Sequence, residues 1–227
     1  ANLNTLNAKT TAAISVTSTA VSGSSTDLIT AYAAQGSGIT GLGSETVTVT
    51  TGTGTTAIAS DLGLVSFDET SYLASNTDVL AALGSASNQG LGHYLEYGYS
   101  ESRSTDTFSE LSYVASYSDL ITAIGTNATV ATQHYVNHGY SEGRTTTFDE
   151  MAYVASYSDL ITNVGSTANA GATHYINHGS TEGRTTTFDA SSYLAAHADL
   201  RTVFGSNETL AAKHYIDHGY GEGRVLA

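Results

Sequence analysis

The chain has 227 residues, with 21 Asp and Glu against 7 Lys and Arg, giving a formal net charge of −14. The absence of Cys excludes disulfide scaffolds, thiolate metal sites and Cys nucleophiles. The acidity argues against a nucleic-acid partner, which would need clustered Lys and Arg. No apolar run approaches the roughly 20 residues of a membrane span, so no span is predicted. The chain starts with neither a signal peptide nor Met, so we expect it to be processed or excised.

Residues 1–66 carry few charges and no His. Residues 13–17 and 46–50 alternate apolar and polar side chains, which predicts half-buried strands, and residues 27–33 predict one or two helical turns. Recurring Leu-containing segments indicate a weak internal repeat of about 30 residues. Because such a region has few large apolar side chains, it makes a poor core alone. We expect its strands to pair with another copy, a neighbouring protomer or a further part of a longer chain.

Residues 67–227 form a tandem repeat with four copies, at 67–107, 108–147, 148–187 and 188–227. Self-similarity at about 40 residues predicts stacked supersecondary units, and the pattern inside each copy predicts short helices. The expected fold class is therefore α+β: a Thr-rich β region followed by four all-helical repeats in a short α-solenoid. A large aromatic residue opens each copy and is predicted to pack in the core and between repeats. These residues are Phe67, Phe108, Phe148 and Phe188.

Copy two illustrates the predicted helices. Ser109 is an expected N-cap, and Asp119 falls in the first turn of a second helix, where the helix dipole favours an acid. Gly125 ends that helix in the position of a left-handed cap. A third helix is predicted over residues 128–138, with Gly139 as its C-cap.

Three copies carry two His residues spaced i, i+4 on one predicted helix face: His134 and His138, His174 and His178, His214 and His218. That spacing can place two imidazoles on one Zn, Ni or Cu ion. The alternative is structural, with the His side chains bonded to a Tyr hydroxyl, an Asp or a helix end at the seam between repeats. Copy one has His93 but Tyr97 at the second position, and Tyr rather than Glu follows the first His. We therefore favour the structural interpretation.

Each copy closes on a turn that contains Glu and Arg. The pairs are Glu101 and Arg103, Glu142 and Arg144, Glu182 and Arg184, and Glu222 and Arg224. The Arg side chains could bind an anionic sugar, or they could tie to a neighbouring repeat's carboxylate or to helix-end carbonyls. Because the turn recurs in every copy, we favour a structural tie between repeats.

Exposed aromatic side chains offer another possible role. Tyr99, Tyr117, Tyr140, Tyr157 and Tyr220 could stack on sugars or bury an interface, and we favour the interface. Calcium is possible for so acidic a chain, although it contains no consensus calcium loop. No Walker loop, dinucleotide fingerprint or G-x-S-x-G elbow occurs, so no cofactor is expected.

The repeat unit resembles a known family. It reads Phe148-Asp149 … Tyr153-Val154-Ala155 … His174-Tyr175 … Gly179 … Glu182-Gly183-Arg184, which is similar to the F-D-x3-Y-[LV]-A … H-Y-x2-[HY]-G-x2-E-G-R repeats of large secreted bacterial surface proteins of RTX or adhesin style. The resemblance extends from Phe67 to Arg224. It implies an extracellular, repetitive and non-catalytic protein and supplies no catalytic residue.

These observations favour a non-enzymatic, self-assembling structural protein of the bacterial cell surface, such as a filament, sheath, surface-layer or adhesin segment. Its main partner would be a second copy, through strand pairing in residues 1–66 and stacking of repeat ends. The alternatives are a carbohydrate-binding adhesion module, with surface polysaccharide as the partner, and a metal-binding His-repeat protein.

Overall fold

The computed structural model describes residues 3–64 and 66–224. The fold is α+β and mostly helical, with repeat-like helical units that follow a few short strands near the N-terminus, as predicted. Two compact units divide the chain, residues 1–108 and residues 109–227. Among the described residues, no helix is both long enough and apolar enough to cross a membrane.

The N-terminal region contains two short helices and five short strands. The helices are α1 (Leu3–Asn7) and α2 (Ser25–Ala33). The strands are β1 (Ile14–Ser15), β2 (Ala20–Gly23), β3 (Ile39–Thr40), β4 (Thr46–Val49) and β5 (Thr56–Ile58). Ser24 is the N-cap of α2, and its side chain accepts a hydrogen bond from the Asp27 N–H. The helical turn and both predicted strands are confirmed, although the first strand is only two residues long.

Strand pairing places two consecutive helix–strand–strand segments side by side. We call α1, β1 and β2 the outer coil, and α2, β3 and β4 the inner coil. β1 pairs in parallel with β3, and β2 pairs in parallel with β4, while β5 closes the second sheet antiparallel to β4. The register places Ile14 opposite Ile39 and Val21 opposite Val47, so the coil repeats every 25 or 26 residues. This period is shorter than the expected 30. Ile39 and Val47 are fully buried, whereas Ile14 and Val21 in the outer coil are half-buried.

Every copy of the tandem repeat contains three short α-helices followed by one π-helical turn. The first helices are α3 (Glu69–Ser75), α6 (Glu110–Ala115), α9 (Glu150–Ala155) and α12 (Ala190–Ala196). The second helices are α4 (Thr77–Leu83), α7 (Ser118–Ile124), α10 (Ser158–Asn163) and α13 (Ala198–Phe204). The third helices are α5 (Gln89–His93), α8 (Ala128–His134), α11 (Ala170–His174) and α14 (Glu208–His214). The π-helical turns are Tyr94–Gly98, Tyr135–Gly139, Tyr175–Gly179 and Tyr215–Gly219.

Local signals set the ends of these helices. Ser109 occupies the N-cap of α6, and Asp119 lies in the first turn of α7, as predicted. Gly125 follows α7 with a φ of 59°, the positive value expected of a glycine cap. Gly139 is not the C-cap: the helix continues through the π-helical turn to this residue, and Gly143 takes the left-handed conformation instead, with a φ of 71°.

Neighbouring copies in the second unit pack against each other in the same way. The third helix of a copy lies against the first helix of the copy before it, so α11 contacts α6 and α14 contacts α9. Met151 and Val154 of copy three share one apolar core with Ala211 and Ile216 of copy four. Burial of such side chains contributes roughly 1.5–3 kcal/mol each, so the seams between copies hold a large part of the stability.

In the first unit, the N-terminal region takes the place of a preceding copy. The third helix of copy one, α5, packs against α2. Leu95, in the π-helical turn that follows α5, is fully buried in one core with Leu28, Ile39 and Val47. The sequence analysis predicted a domain boundary after residue 66, but this core contains residues from both sides of that boundary. The strand region therefore finds a packing partner within its own chain.

Candidate functional site: the side-chain ties within each copy

A buried tyrosine bonds to the first histidine in every copy. In copy three, the Tyr153 hydroxyl lies 2.9 Å from Nδ1 of His174. The corresponding pairs are Tyr72 and His93 at 2.9 Å, Tyr113 and His134 at 2.9 Å, and Tyr193 and His214 at 3.0 Å. All four tyrosines are fully buried. The first histidines thus contact a tyrosine, as the structural interpretation expected, but the contact lies within one copy rather than at the seam between repeats.

Burial sets the protonation of this pair. It raises the pKa of Tyr153 to about 12, so the hydroxyl stays protonated at neutral pH. Burial, assisted by the positive charge of Arg184, lowers the pKa of His174 below its usual 6.5. The pKa values of His93 and His214 are lowered for the same reasons, with Arg103 and Arg224 as the charges. A neutral imidazole beside a neutral phenol is therefore the stable state of the pair.

The lowered histidine pKa values predict that acid weakens the fold. Since the unfolded chain binds protons near pH 6.5 and the folded chain binds them only at lower pH, this contribution is complete above pH 6.5 and is lost as pH falls through the folded pKa. We expect the fall in unfolding free energy between pH 7.5 and 5.5, measured by urea titration, to be smaller in His174→Gln than in the native chain. An equal fall in both proteins would contradict the assignment.

A glycine at the end of each π-helical turn makes room for the tyrosine. A Cβ on Gly179 would overlap the Tyr153 hydroxyl and would lie 3.0 Å from Cδ2 of Tyr175. Gly98, Gly139 and Gly219 face the corresponding tyrosines in the same way. This reason for the glycine was missed at the sequence level, where Gly139 was assigned to a cap. The constant spacing of 21 residues between Tyr and His is the signal that could have revealed the pair.

The second histidine of each pair lies outside this contact. His138, His178 and His218 are exposed. The ring centroids within the pairs are 5.7, 5.5 and 5.5 Å apart in copies two, three and four. Throughout residues 3–64 and 66–224, no group of three or more His, Cys, Asp or Glu side chains is placed to hold a metal ion.

The arginine of each closing turn ties the turn to the second helix of its own copy. Arg144 contacts Asp119 through two nitrogens, with Nη1–Oδ1 at 3.0 Å and Nη2–Oδ2 at 2.8 Å, and its Nε lies 2.6 Å from Glu142. The arginine lowers the pKa of Asp119. The same tie forms in the other copies: Arg103 with Asp78 and Glu101, Arg184 with Asp159 and Glu182, and Arg224 with Asp199 and Glu222. The sequence interpretation placed these ties between repeats, but the structure places them inside one copy because the turn folds back onto its own second helix.

Two of the five tyrosines considered for sugar stacking help to close their copies. The Tyr117 ring lies under the Arg144 guanidinium at 4.8 Å, and its hydroxyl bonds to the backbone N–H and C=O of Thr145. Tyr157 does the same in copy three, with Arg184 and Thr185. The remaining three are Tyr99, half-buried against Tyr94, and Tyr140 and Tyr220, which are exposed.

The phenylalanines that open copies three and four contact two copies at once. The Phe148 ring packs on Tyr153 and Tyr175 of its own copy, at centroid distances of 5.4 and 4.7 Å. Its backbone N–H donates to the Ser116 hydroxyl of the copy before it. Phe188 repeats this arrangement with Ser156, and the Phe108 N–H donates to the Ser75 hydroxyl.

One further contact joins copies three and four and was missed at the sequence level. Lys213 lies 2.7 Å from Asp217, and both bond to the Ser166 hydroxyl at 2.6 Å. Because Lys213 belongs to one copy only, no repeat pattern pointed to it.

No protein-family model, curated protein or solved structure matches the chain.

Proposed function

We propose that the chain is a non-enzymatic, extracellular structural protein of the bacterial cell surface, whose helical repeats form a short α-solenoid and which associates with copies of itself. The observation that carries this proposal is the recurrence of the same side-chain ties in all four copies. Tyr with His, and Arg with Asp and Glu, meet at nearly the same distances each time.

Recurrence favours a structural role for these residues. A catalytic centre depends on a local departure from symmetry, such as two carboxylates with different environments across a cleft. Two carboxylates that recur in every copy are paired with an arginine, as Asp159 and Glu182 are with Arg184 at 2.9 and 2.6 Å. The reactive groups are thereby used to hold helices together, which suits a scaffold built from many equal units.

Self-association is supported by the outer coil of the N-terminal region. Among the described strands, β1 pairs only with β3, and β2 pairs only with β4, so each has one open edge. Ile14 and Val21 are half-buried there, although their register partners in the inner coil are fully buried. An added strand would satisfy the open backbone groups and complete this burial, as edge strands do when they pair between chains.

The other end of the repeat array is less suited to association. On α12, Ser191 is exposed at the position where Leu111 and Met151 are buried in earlier copies. A polar residue at this position offers less apolar surface to a stacked repeat than Leu111 or Met151 does. We therefore assign the main contact to the strand edges rather than to stacked repeats.

The proposal is tested by the size of the purified chain as its concentration rises. Sedimentation velocity from low micromolar to high micromolar concentration should show growing assemblies, and negative-stain images should show them as repeating objects. A chain that remains monomeric throughout would overturn the self-association, while detection of a turnover reaction would overturn the non-enzymatic role.

A further inference from the structure

The paired histidines of copies two to four could bind a ligand, because the Tyr–His contact uses only one nitrogen of the first histidine in each pair. In copy three, His174 has its Nδ1 engaged by Tyr153, so its Nε2 lies on the other side of the ring. His178 is exposed and lies beside it, with ring centroids 5.5 Å apart. Both line an open groove of about 500 Å³ together with Asn163, Asn169 and Asn177.

The π-helical turn favours this juxtaposition. His174 ends α11, and His178 lies within the π-helical turn Tyr175–Gly179. A π-helical turn is wider than an α-helical turn and closes i→i+5 hydrogen bonds, so a residue four positions on stands more nearly above the first. In copy three the two imidazole rings are tilted by 55° to each other with their centroids 5.5 Å apart, so they lie close enough to share one ligand.

We propose that each of the three His pairs binds one divalent cation of the Zn²⁺, Ni²⁺ or Cu²⁺ class. The two imidazole nitrogens would be the protein's ligands, and water would fill the remaining positions. Imidazole suits these cations, whereas calcium and magnesium prefer oxygen. This inference stands on the His geometry alone and does not depend on the proposed structural role.

The buried tyrosine would act as the partner that orients the first ligand. When His174 ligates through Nε2, its Nδ1 carries the proton and donates it to the Tyr153 hydroxyl oxygen, 2.9 Å away. Metal-bound imidazoles use their second nitrogen in this way, which fixes the tautomer and the ring orientation.

Copy one supplies an internal control. Its groove, of about 420 Å³, is lined by His93 and Tyr97 at the corresponding positions. Tyr72 bonds to His93 at the same 2.9 Å, and Tyr97 stands where the other copies carry the second imidazole. The proposal therefore assigns three sites to the chain, one in each of copies two, three and four.

The test is titration of the untagged full chain with Ni²⁺ alone by isothermal calorimetry, with equilibrium dialysis as a second measure of stoichiometry. We expect three ions per chain. His178→Tyr, which reproduces the residue pair of copy one, should bind two, and Tyr97→His should bind four. Circular dichroism confirms that each variant is folded.

Three results would overturn the proposal: no saturable binding, a stoichiometry that His178→Tyr does not change, or a Tyr97→His protein that binds no additional ion. Because Tyr97→His adds a site, the test remains decisive even if His178→Tyr failed to fold.

Discussion

Replacement of Gly98 by Ala is expected to lower the free energy of unfolding by about 1–3 kcal/mol, the usual cost of forcing a methyl group into a packed site. Its Cβ would overlap the hydroxyl of the buried Tyr72 and would lie 3.1 Å from Cδ2 of Tyr94. Neither ring can withdraw easily, because Tyr72 is fully buried and Tyr94 is nearly so. Urea unfolding followed by circular dichroism measures the change.

Gly92 in the same copy is the matched control. It lies within α5, and a Cβ there would meet nothing within 4 Å. Gly92→Ala should therefore stabilise the chain by roughly 0.5–1 kcal/mol, since Gly is a poor helix residue. Tyr72→Phe removes the obstructing oxygen, so Gly98→Ala should cost less in that background. If the two glycine variants behaved alike, the close approach of the tyrosine would not be the reason for Gly98.

The second large effect is expected at Leu95, where truncation to Ala should cost about 2–5 kcal/mol. Leu95 belongs to copy one, yet it is fully buried in the core formed by Leu28, Ile39 and Val47 of the N-terminal region. The loss of stability should therefore affect both the N-terminal region and copy one. Hydrogen exchange of the amides in α2 and in α5 reports on each part separately.

Leu83→Ala provides the comparison, because Leu83 is 38% exposed at the end of α4. We expect this variant to change the free energy of unfolding by well under half of the Leu95→Ala effect. Faster exchange in α5 alone after Leu95→Ala, with α2 unchanged, would show that the N-terminal region and copy one do not share a core.

Much of the helical part of the fold could be predicted from the sequence because one signal recurs four times. The period located every copy, and Gly125 and Asp119 located the second helix of copy two. Only some of the side-chain contacts within each copy could be predicted. The His–Tyr contact was among the alternatives, but the partner of Arg144 was expected in a neighbouring copy, since spacing along the chain does not show which way a turn folds back.

The N-terminal region was harder to predict for a physical reason. β3 is two residues long, too short for alternation to identify it, and the alternation over residues 13–17 overestimated the length of β1. Their pairing is parallel and spans 25 residues, so no hairpin turn marks it. The role of α2 as a packing partner for copy one depends on a long-range contact with α5. Nothing in the local pattern of either segment shows this contact.

The most direct test of the proposed self-association adds a charge to the open strand edge. Ser22 is exposed on β2, and a Lys there should oppose pairing with another strand, as edge lysines do. Ser87→Lys adds the same charge to an exposed residue between α4 and α5. In sedimentation velocity, we predict that Ser22→Lys remains monomeric at concentrations where the native chain and Ser87→Lys assemble. Equal assembly of all three proteins would contradict association through the strand edge, and no assembly of any would contradict the proposed function.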